Sequence, residues 1–241
     1  MAQELVIDSL LYNGTYRKIR TLLPSDYKSE ARGLLFMTDA QNLFDPVTSY
    51  AGEWEVDESI ARLPNQVQPI VISIDHGNST RLEELTPYPH KKYGGGKAVQ
   101  FLEFLLDEVS PLIRAKYDLP QPRSVAIAGS SLGGLFAHYA AITHPEYFDT
   151  AGIFSPSFWY SDLALDLTKT TTIAASQRYW LSAGDAESDT MVADMEKVYE
   201  LLHQQQPNNV SMQVVNGAEH NERQWRSSFP EFLSYWLELE K

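Results

Sequence analysis

Short runs of apolar residues alternate with longer segments of helical periodicity along most of the chain. Strands covered by helices on both faces are typically continuous apolar runs, without the polar alternation of exposed sheets. Strands are predicted for the apolar runs at residues 33–37, 69–74, 124–128, 151–154, 179–182 and 210–215. Helices are predicted at residues 98–117 (interrupted near Pro111), 132–143, 190–205 and 224–240.

This alternation predicts an α/β fold. Strands followed by helices imply a mainly parallel central sheet with right-handed crossovers and helices on both faces. Residues 6–12 and 15–23 flank Asn13-Gly14, a dipeptide suited to a tight turn, so an antiparallel hairpin is expected at the N-terminus. No repeat or Pro/Ser-rich linker divides the chain, and we expect residues 1–241 to form one domain. In such folds the chemistry lies in the loops that follow the strands.

Composition narrows the classes of function. The 241 residues include 19 Lys and Arg against 32 Asp and Glu, a formal net charge of −13. This charge disfavours nucleic acid and anionic membranes as main partners. The absence of cysteine excludes a cysteine nucleophile and any Cys-ligated metal. With no basic leader and no apolar run near the ~20 residues of a membrane span, we expect a cytoplasmic protein that acts on a small molecule.

The loop after the strand at 124–128 has the pattern G-x-S-x-G centred on Ser131. A serine in this context lies on a sharp turn between a strand and a helix, and Gly129 and Gly133 let the two elements pass closely. The helix N-terminus favours negative charge, and the amide of Leu132 is placed to donate to an oxyanion. Ser130 is the alternative nucleophile, although it lacks the symmetric glycine neighbours.

A serine nucleophile needs a histidine base, and the chain has six histidines. We favour His220, in the loop after the last predicted strand, because triads of this type run Ser, acid, His along the chain. His76, which follows the second predicted strand of the parallel set, is the alternative. The acid is expected after the next-to-last strand, where the residues themselves do not decide between Asp185, Glu187 and Asp189.

Several motifs, taken together and in order, resemble the α/β-hydrolase esterases of the esterase D type. That group includes siderophore esterases similar to enterochelin esterase, feruloyl esterases, S-formylglutathione hydrolase and mycolyltransferases. The likeness extends from about Leu34 onward. In chain order the motifs are FMTDAQNLFD at 36–45, IDHG at 74–77, Arg81 with ELTP at 84–87, GSSLGG at 129–134, FSPSFW at 154–159 and GAEH at 217–220.

The resemblance implies an α/β-hydrolase fold and a role for each matching residue. Ser131 corresponds to the nucleophile, His220 to the base and Glu187 to the acid, while the amides of Leu132 and Gln41 form the oxyanion hole. Some siderophore esterases of this type resemble Ser–His dyads, which leaves the need for an acid open. The implied reaction is hydrolysis of a siderophore, feruloyl-type or short-chain acyl ester through an acyl-enzyme, without a cofactor or metal.

The substrate pocket is less defined by the sequence. Residues 75–97 are rich in Lys, Arg and Tyr, which suits an anionic or aromatic substrate, and Arg81 and His76 in this loop are candidate pocket residues. Trp159, which follows the strand at 151–154, is a candidate for an aromatic wall. Two other functions stay open: a thioesterase or acyltransferase of the same fold, and a non-catalytic binding module. The sequence does not indicate the oligomeric state.

Overall fold

A computed structural model describes residues 3–239 and contains one eight-stranded sheet. The strands are β1 (Glu4–Tyr12), β2 (Thr15–Leu23), β3 (Gly33–Thr38), β4 (Ile70–Ile74), β5 (Ser124–Ser130), β6 (Thr150–Phe154), β7 (Arg178–Gly184) and β8 (Val210–Val215). They are arranged in the order β1-β2-β4-β3-β5-β6-β7-β8.

The direction of the strands confirms the predicted fold class. Strands β3 to β8 are parallel, whereas β2 pairs antiparallel with both β4 and β1. The turn between β1 and β2 has positive φ at both Asn13 and Gly14, as a two-residue hairpin of the favoured type requires. Because β3 to β8 are parallel, the loops that follow them all lie at one edge of the sheet.

Eight α-helices surround the sheet within residues 3–239. They are α1 (Val56–Ala61), α2 (Arg81–Leu85), α3 (Ala98–Glu103), α4 (Ser110–Tyr117), α5 (Leu132–Thr143), α6 (Leu163–Thr170), α7 (Met191–Gln205) and α8 (Glu222–Leu237). None of these helices is long and apolar enough to cross a membrane. The sequence pattern did not predict α1, α2 and α6, since helices of five to eight residues are too short to establish a periodicity.

Two predicted helices differ in detail from the structure. The interruption in the helix at 98–117 lies before Pro111, where a π-helical segment, Phe104–Val109, joins α3 to α4. Proline has no N–H and clashes with the carbonyl four residues earlier, so a wider turn ahead of it relieves that contact. The last helix begins at Glu222 rather than at residue 224, because Asn221 caps it by accepting from Gln224 N. Glu240, the predicted end of that helix, lies outside the described residues.

Apolar side chains cover both faces of the sheet. In β3, Leu34 and Phe36 pack into a cluster that includes residues of α3, α4, α5 and α7. Leu35 and Met37, which alternate with them, pack into a second cluster with α1 and α8. This two-sided burial explains why the strands are continuous apolar runs in the sequence. The loops at the carboxyl edge therefore extend from a sheet that is packed on both faces.

Candidate active site

Ser131 lies at the junction of β5 and α5 in a strained backbone conformation. Its φ of 57° and ψ of −119° are unfavourable for a residue with a side chain. Surrounding backbone holds it there: Ser131 N donates to Phe154 O (3.0 Å), and Ser131 O accepts from Ser157 N (3.0 Å) and Gly134 N (3.1 Å). This geometry is that of the strand–turn–helix predicted from G-x-S-x-G.

The glycines around Ser131 are required by close packing. A Cβ on Gly129 would lie 2.7 Å from the backbone of Gly133, and a Cβ on Gly133 would lie 2.4 Å from Thr38 Oγ1. Gly134 is equally restricted, because a Cβ there would lie 2.8 Å from Phe154 O. Strand and helix therefore approach as closely as the sequence motif predicted.

His220 is held by a buried carboxylate. Its Nδ1 lies 2.7 Å from Glu187 Oε2, and the Glu187 side chain is only 1% exposed. The other carboxylate oxygen, Oε1, accepts from Gly184 N and from Ser155 Oγ, both at 2.6 Å. Three donors thus compensate the burial of this charge. When Nδ1 carries the ring proton and donates it in this hydrogen bond, the imidazole is neutral and its Nε2 can accept a proton.

The indole of Trp225 completes this arrangement. Its Nε1 donates to Ser155 Oγ (2.8 Å), and its ring meets the ring of His220 edge to face, with centroids 5.2 Å apart. Ser155 is fully buried, so its hydroxyl is supported on one side by the indole and on the other by Glu187. The imidazole is therefore restrained both by a hydrogen bond and by ring packing.

Ser131 and His220 line the same cavity, which has a volume of about 290 Å³. Among the described residues, Ser131 Oγ is hydrogen-bonded to Ser157 Oγ (3.3 Å) and not to His220. Catalytic hydrogen bonds are often long without substrate and shorten when it binds. The other residues that line the cavity are Asp39, Asn42, Tyr50, Ala51, His76, Arg81, Ser130, Glu222 and Trp225.

The structure distinguishes between the acids that the sequence left open. Asp185 Oδ1 accepts from Gly217 N (2.6 Å), which stabilises the loop before His220, and Asp189 is exposed. Only Glu187, of these three, contacts His220. The geometry therefore brings together the three residues that the resemblance selected, and their catalytic roles stay predictions.

The two amides expected to form an oxyanion hole have no protein acceptor. Within residues 3–239, neither Leu132 N nor Gln41 N donates to a backbone or side-chain oxygen. Gln41 lies in a short 3-10 turn, Ala40–Asn42, after β3, and its side-chain Oε1 accepts from His76 N (3.2 Å). Both amides are thus unpaired, as their proposed role requires, although neither Leu132 nor Gln41 is among the residues that line the cavity.

The candidate pocket residues differ in position. Arg81 and His76 line the cavity, whereas Trp159 is not among the lining residues. Trp159 is half exposed and packs edge to face against Tyr93, with centroids 6.0 Å apart. Within the described part of the chain, no group of three or more His, Asp or Glu side chains has the arrangement of a metal site.

Sequence reasoning missed two acids in the cavity. Asp39 is buried and forms a two-pronged ion pair with Arg81, with Nε–Oδ1 and Nη2–Oδ2 distances of 2.7 and 2.8 Å. Glu222, at the first position of α8, is 4% exposed and accepts from Asn42 Nδ2 (3.1 Å). Burial raises the pKa of Glu222, and the nearby charge of Asp39 raises it further. Asp39 and Asn42 belong to the FMTDAQNLFD motif, but nothing in the sequence connected that motif with Glu222.

The family model described as "Putative esterase" matches residues 12–235. The chain belongs to this esterase family. It is 24% identical over 239 residues to the uncharacterized protein YbbA of Bacillus subtilis, covering 92% of both chains. It is 27% identical over 162 residues to the iron(III) salmochelin esterase of Escherichia coli, an alignment that covers 66% of this chain and 36% of the relative.

The esterase-family fold is also found in solved structures. Siderophore hydrolase EstA from Aspergillus nidulans superposes with a TM-score of 0.80 at 19% sequence identity. The superposition covers 98% of this chain and 95% of EstA. Such a likeness at low identity shows that the chain has the α/β-hydrolase fold of these esterases.

Proposed function

We propose that this protein is a serine esterase that hydrolyses a carboxylic ester through an acyl-enzyme intermediate. One observation carries the proposal: a strained serine at a strand–helix turn and a histidine held by a buried carboxylate line the same cavity. Membership of the esterase family supports it independently.

In the proposed mechanism, His220 Nε2 takes the proton of Ser131 Oγ as this oxygen attacks the ester carbonyl carbon. The amides of Leu132 and Gln41 donate to the oxyanion, and Glu187 stabilises the imidazolium. The carbon–oxygen bond to the alcohol then breaks, and His220 returns the proton to the leaving oxygen. Water repeats the sequence and releases the acid. Ser131 Oγ must first exchange its contact with Ser157 for one with His220, a side-chain rotation.

The names of the relatives support a siderophore-type ester as substrate. An iron(III) salmochelin esterase and a siderophore hydrolase are both similar to the chain. We include feruloyl-type and short-chain acyl esters in the proposal, because the reaction centre contacts only the ester group and the cavity lining decides the rest. The substrate is in each case a small molecule.

Covalent labelling with a fluorophosphonate tests the nucleophile. We expect the wild-type protein to be labelled on Ser131 and to hydrolyse p-nitrophenyl butyrate, and Ser131→Ala to do neither. Ser176→Ala, at an exposed position, is the matched control and should behave as wild type. Labelling of Ser131→Ala at the wild-type rate would overturn the assignment. If labelling were lost in Ser130→Ala and retained in Ser131→Ala, the nucleophile would be Ser130.

Hydrolysis also separates this proposal from the other functions. A thioesterase would hydrolyse butyryl thioesters much faster than the matched oxygen esters, and an acyltransferase would prefer an alcohol to water as acceptor. A folded wild-type protein that is neither labelled nor active on any ester would instead be a binding module. Each of these results contradicts the proposed esterase.

A further inference from the structure

The charges that line the candidate active-site cavity do not balance. Two carboxylates, of Asp39 and Glu222, face one guanidinium, that of Arg81. Arg81 uses two of its donor nitrogens on the two oxygens of Asp39, so these two charges largely cancel. Glu222 is left as the acid of the cavity that forms no ion pair within residues 3–239, although Arg81 and His220 lie near enough to act on its charge.

Glu222 is buried in the wall of the cavity. Among residues 3–239, no Lys, Arg or His lies within ion-pair distance of its carboxylate, and Asn42 Nδ2 is the one side-chain donor to it. It is also not needed to orient the base, since His220 is bound by Glu187. Burial of a carboxylate is unfavourable unless a partner of opposite charge is supplied. Because Glu222 lines the cavity, a ligand bound there can supply that charge.

Of the basic residues that suggested an anionic substrate, Arg81 and His76 line the cavity, whereas the lysines lie elsewhere. Lys91 and Lys92 are exposed, and Lys97 forms an ion pair with Glu83 (3.1 Å). None of these three lysines lines the cavity. An anionic group on the substrate would therefore be repelled by the Glu222 carboxylate. The part of the Arg81 guanidinium that does not contact Asp39 would be the remaining cation to offset this repulsion.

We propose that the cavity selects esters that carry a positively charged nitrogen, which Glu222 binds, and that it discriminates against anionic esters. This inference rests on the proposed esterase function. The formal net charge of −13 acts in the same direction, because it raises the local concentration of cations and lowers that of anions.

Isosteric esters test the charge preference directly. Butyrylcholine and 3,3-dimethylbutyl butyrate differ only in the exchange of a quaternary nitrogen for carbon, and the butyrate ester of 3-hydroxypropanoate supplies the anion. The first pair carries the cation on the alcohol side of the ester bond. A second pair places it on the acyl side: p-nitrophenyl 4-(trimethylammonio)butyrate against p-nitrophenyl 5,5-dimethylhexanoate. We expect kcat/KM to be about tenfold higher for the cation in at least one pair and about tenfold lower for the anion.

Glu222→Gln should bring the ratio of cationic to neutral kcat/KM close to one. Glu196→Gln, an exposed position on α7 with the same change in net charge, should leave this ratio at the wild-type value. A wild-type ratio near one in both pairs, or a ratio that Glu222→Gln retains, would overturn the inference. Absence of hydrolysis of all the esters would instead contradict the proposed function.

A measurement on the wild-type protein keeps the inference testable if Glu222→Gln does not fold. Tetramethylammonium should inhibit hydrolysis of p-nitrophenyl butyrate competitively, and sodium chloride at the same ionic strength should not. Equal inhibition by the two salts would contradict binding of a cationic nitrogen in the cavity.

Discussion

The buried hydroxyl of Ser155 donates a hydrogen bond of 2.6 Å to Oε1 of Glu187. Because Trp225 Nε1 donates to the same hydroxyl, the single Ser155 proton is directed to the carboxylate. Oε2 of Glu187 is then left for His220. We therefore propose Ser155 as a positioning residue, which would act on His220 through Glu187 and is not among the residues that line the cavity.

We expect Ser155→Ala to lower kcat about tenfold with little change in KM, because the carboxylate loses one of its two restraints on Oε1 while the cavity is unaltered. The pH–rate profile should shift as well, since a mobile Glu187 stabilises the His220 imidazolium less. Trp225→Phe removes the donor to Ser155 and also reduces the ring that packs on His220 and lines the cavity, so it should change KM as well as kcat. Unchanged kcat and pH profile in Ser155→Ala would contradict this role.

Glu187→Gln should lower kcat by about 10²- to 10⁴-fold, because a neutral amide neither stabilises the imidazolium nor fixes its tautomer. Asp189→Asn is the matched control in the same loop and should retain wild-type kcat, as Asp189 is exposed. Steady-state hydrolysis of p-nitrophenyl butyrate measures both. A loss of less than threefold in Glu187→Gln would indicate a Ser–His dyad.

Arg81→Met should lower the free energy of unfolding by about 3 kcal/mol, because it leaves the buried Asp39 carboxylate without its partner. Lys28→Met removes a cation from the exposed pair with Asp118, and its cost should stay below about 1 kcal/mol. Urea unfolding measures both variants. Equal losses would mean that the Arg81–Asp39 pair is no more than a surface contact.

His138 should make stability depend on pH in a defined range. It is buried in α5 with Nε2 2.9 Å from Thr168 Oγ1, and burial lowers its pKa to about 3. In the unfolded chain its pKa is near 6.5, so below that pH the unfolded state binds a proton that the folded state excludes. Stability therefore falls as the pH decreases from 6.5 towards 3.

The matched variant is His138→Gln. It has no titratable group at position 138, and every other titratable group of the protein is retained. The excess stability of the wild type over the variant should be about 2 kcal/mol smaller at pH 5 than at pH 7. Urea unfolding at the two pH values provides the comparison. An excess that is independent of pH would show that His138 is accessible to protons in the folded state.

The sheet could be predicted from the sequence because burial on both faces makes each strand a short apolar run. All eight strands were placed to within a few residues, and the Asn13-Gly14 turn fixed the hairpin. The short helices and the π-helical segment before Pro111 could not be predicted, since they depend on packing and on local relief of a clash. The expectation of one domain over residues 1–241 stays a prediction.

The candidate site was predictable only where spacing along the chain encodes it. The glycines around Ser131 are a steric requirement of the turn, and they are therefore visible in the sequence. The choice of Glu187 over Asp185 depends on which carboxylate reaches His220, a property of the folded loop. Ser155 and Glu222 escaped notice because their partners are 32 and 180 positions away.

The hydrogen bond from Ser131 N to Phe154 O extends the pairing of β5 with β6 by one residue beyond the strands themselves. Ser131 is consequently anchored to the central sheet, whereas the segments at 45–52 and 75–97 around the cavity both hydrogen-bond to Gln41. Loop grafting from a relative must therefore keep these contacts with Gln41 in order to change which ester is accepted without disturbing the proposed oxyanion site.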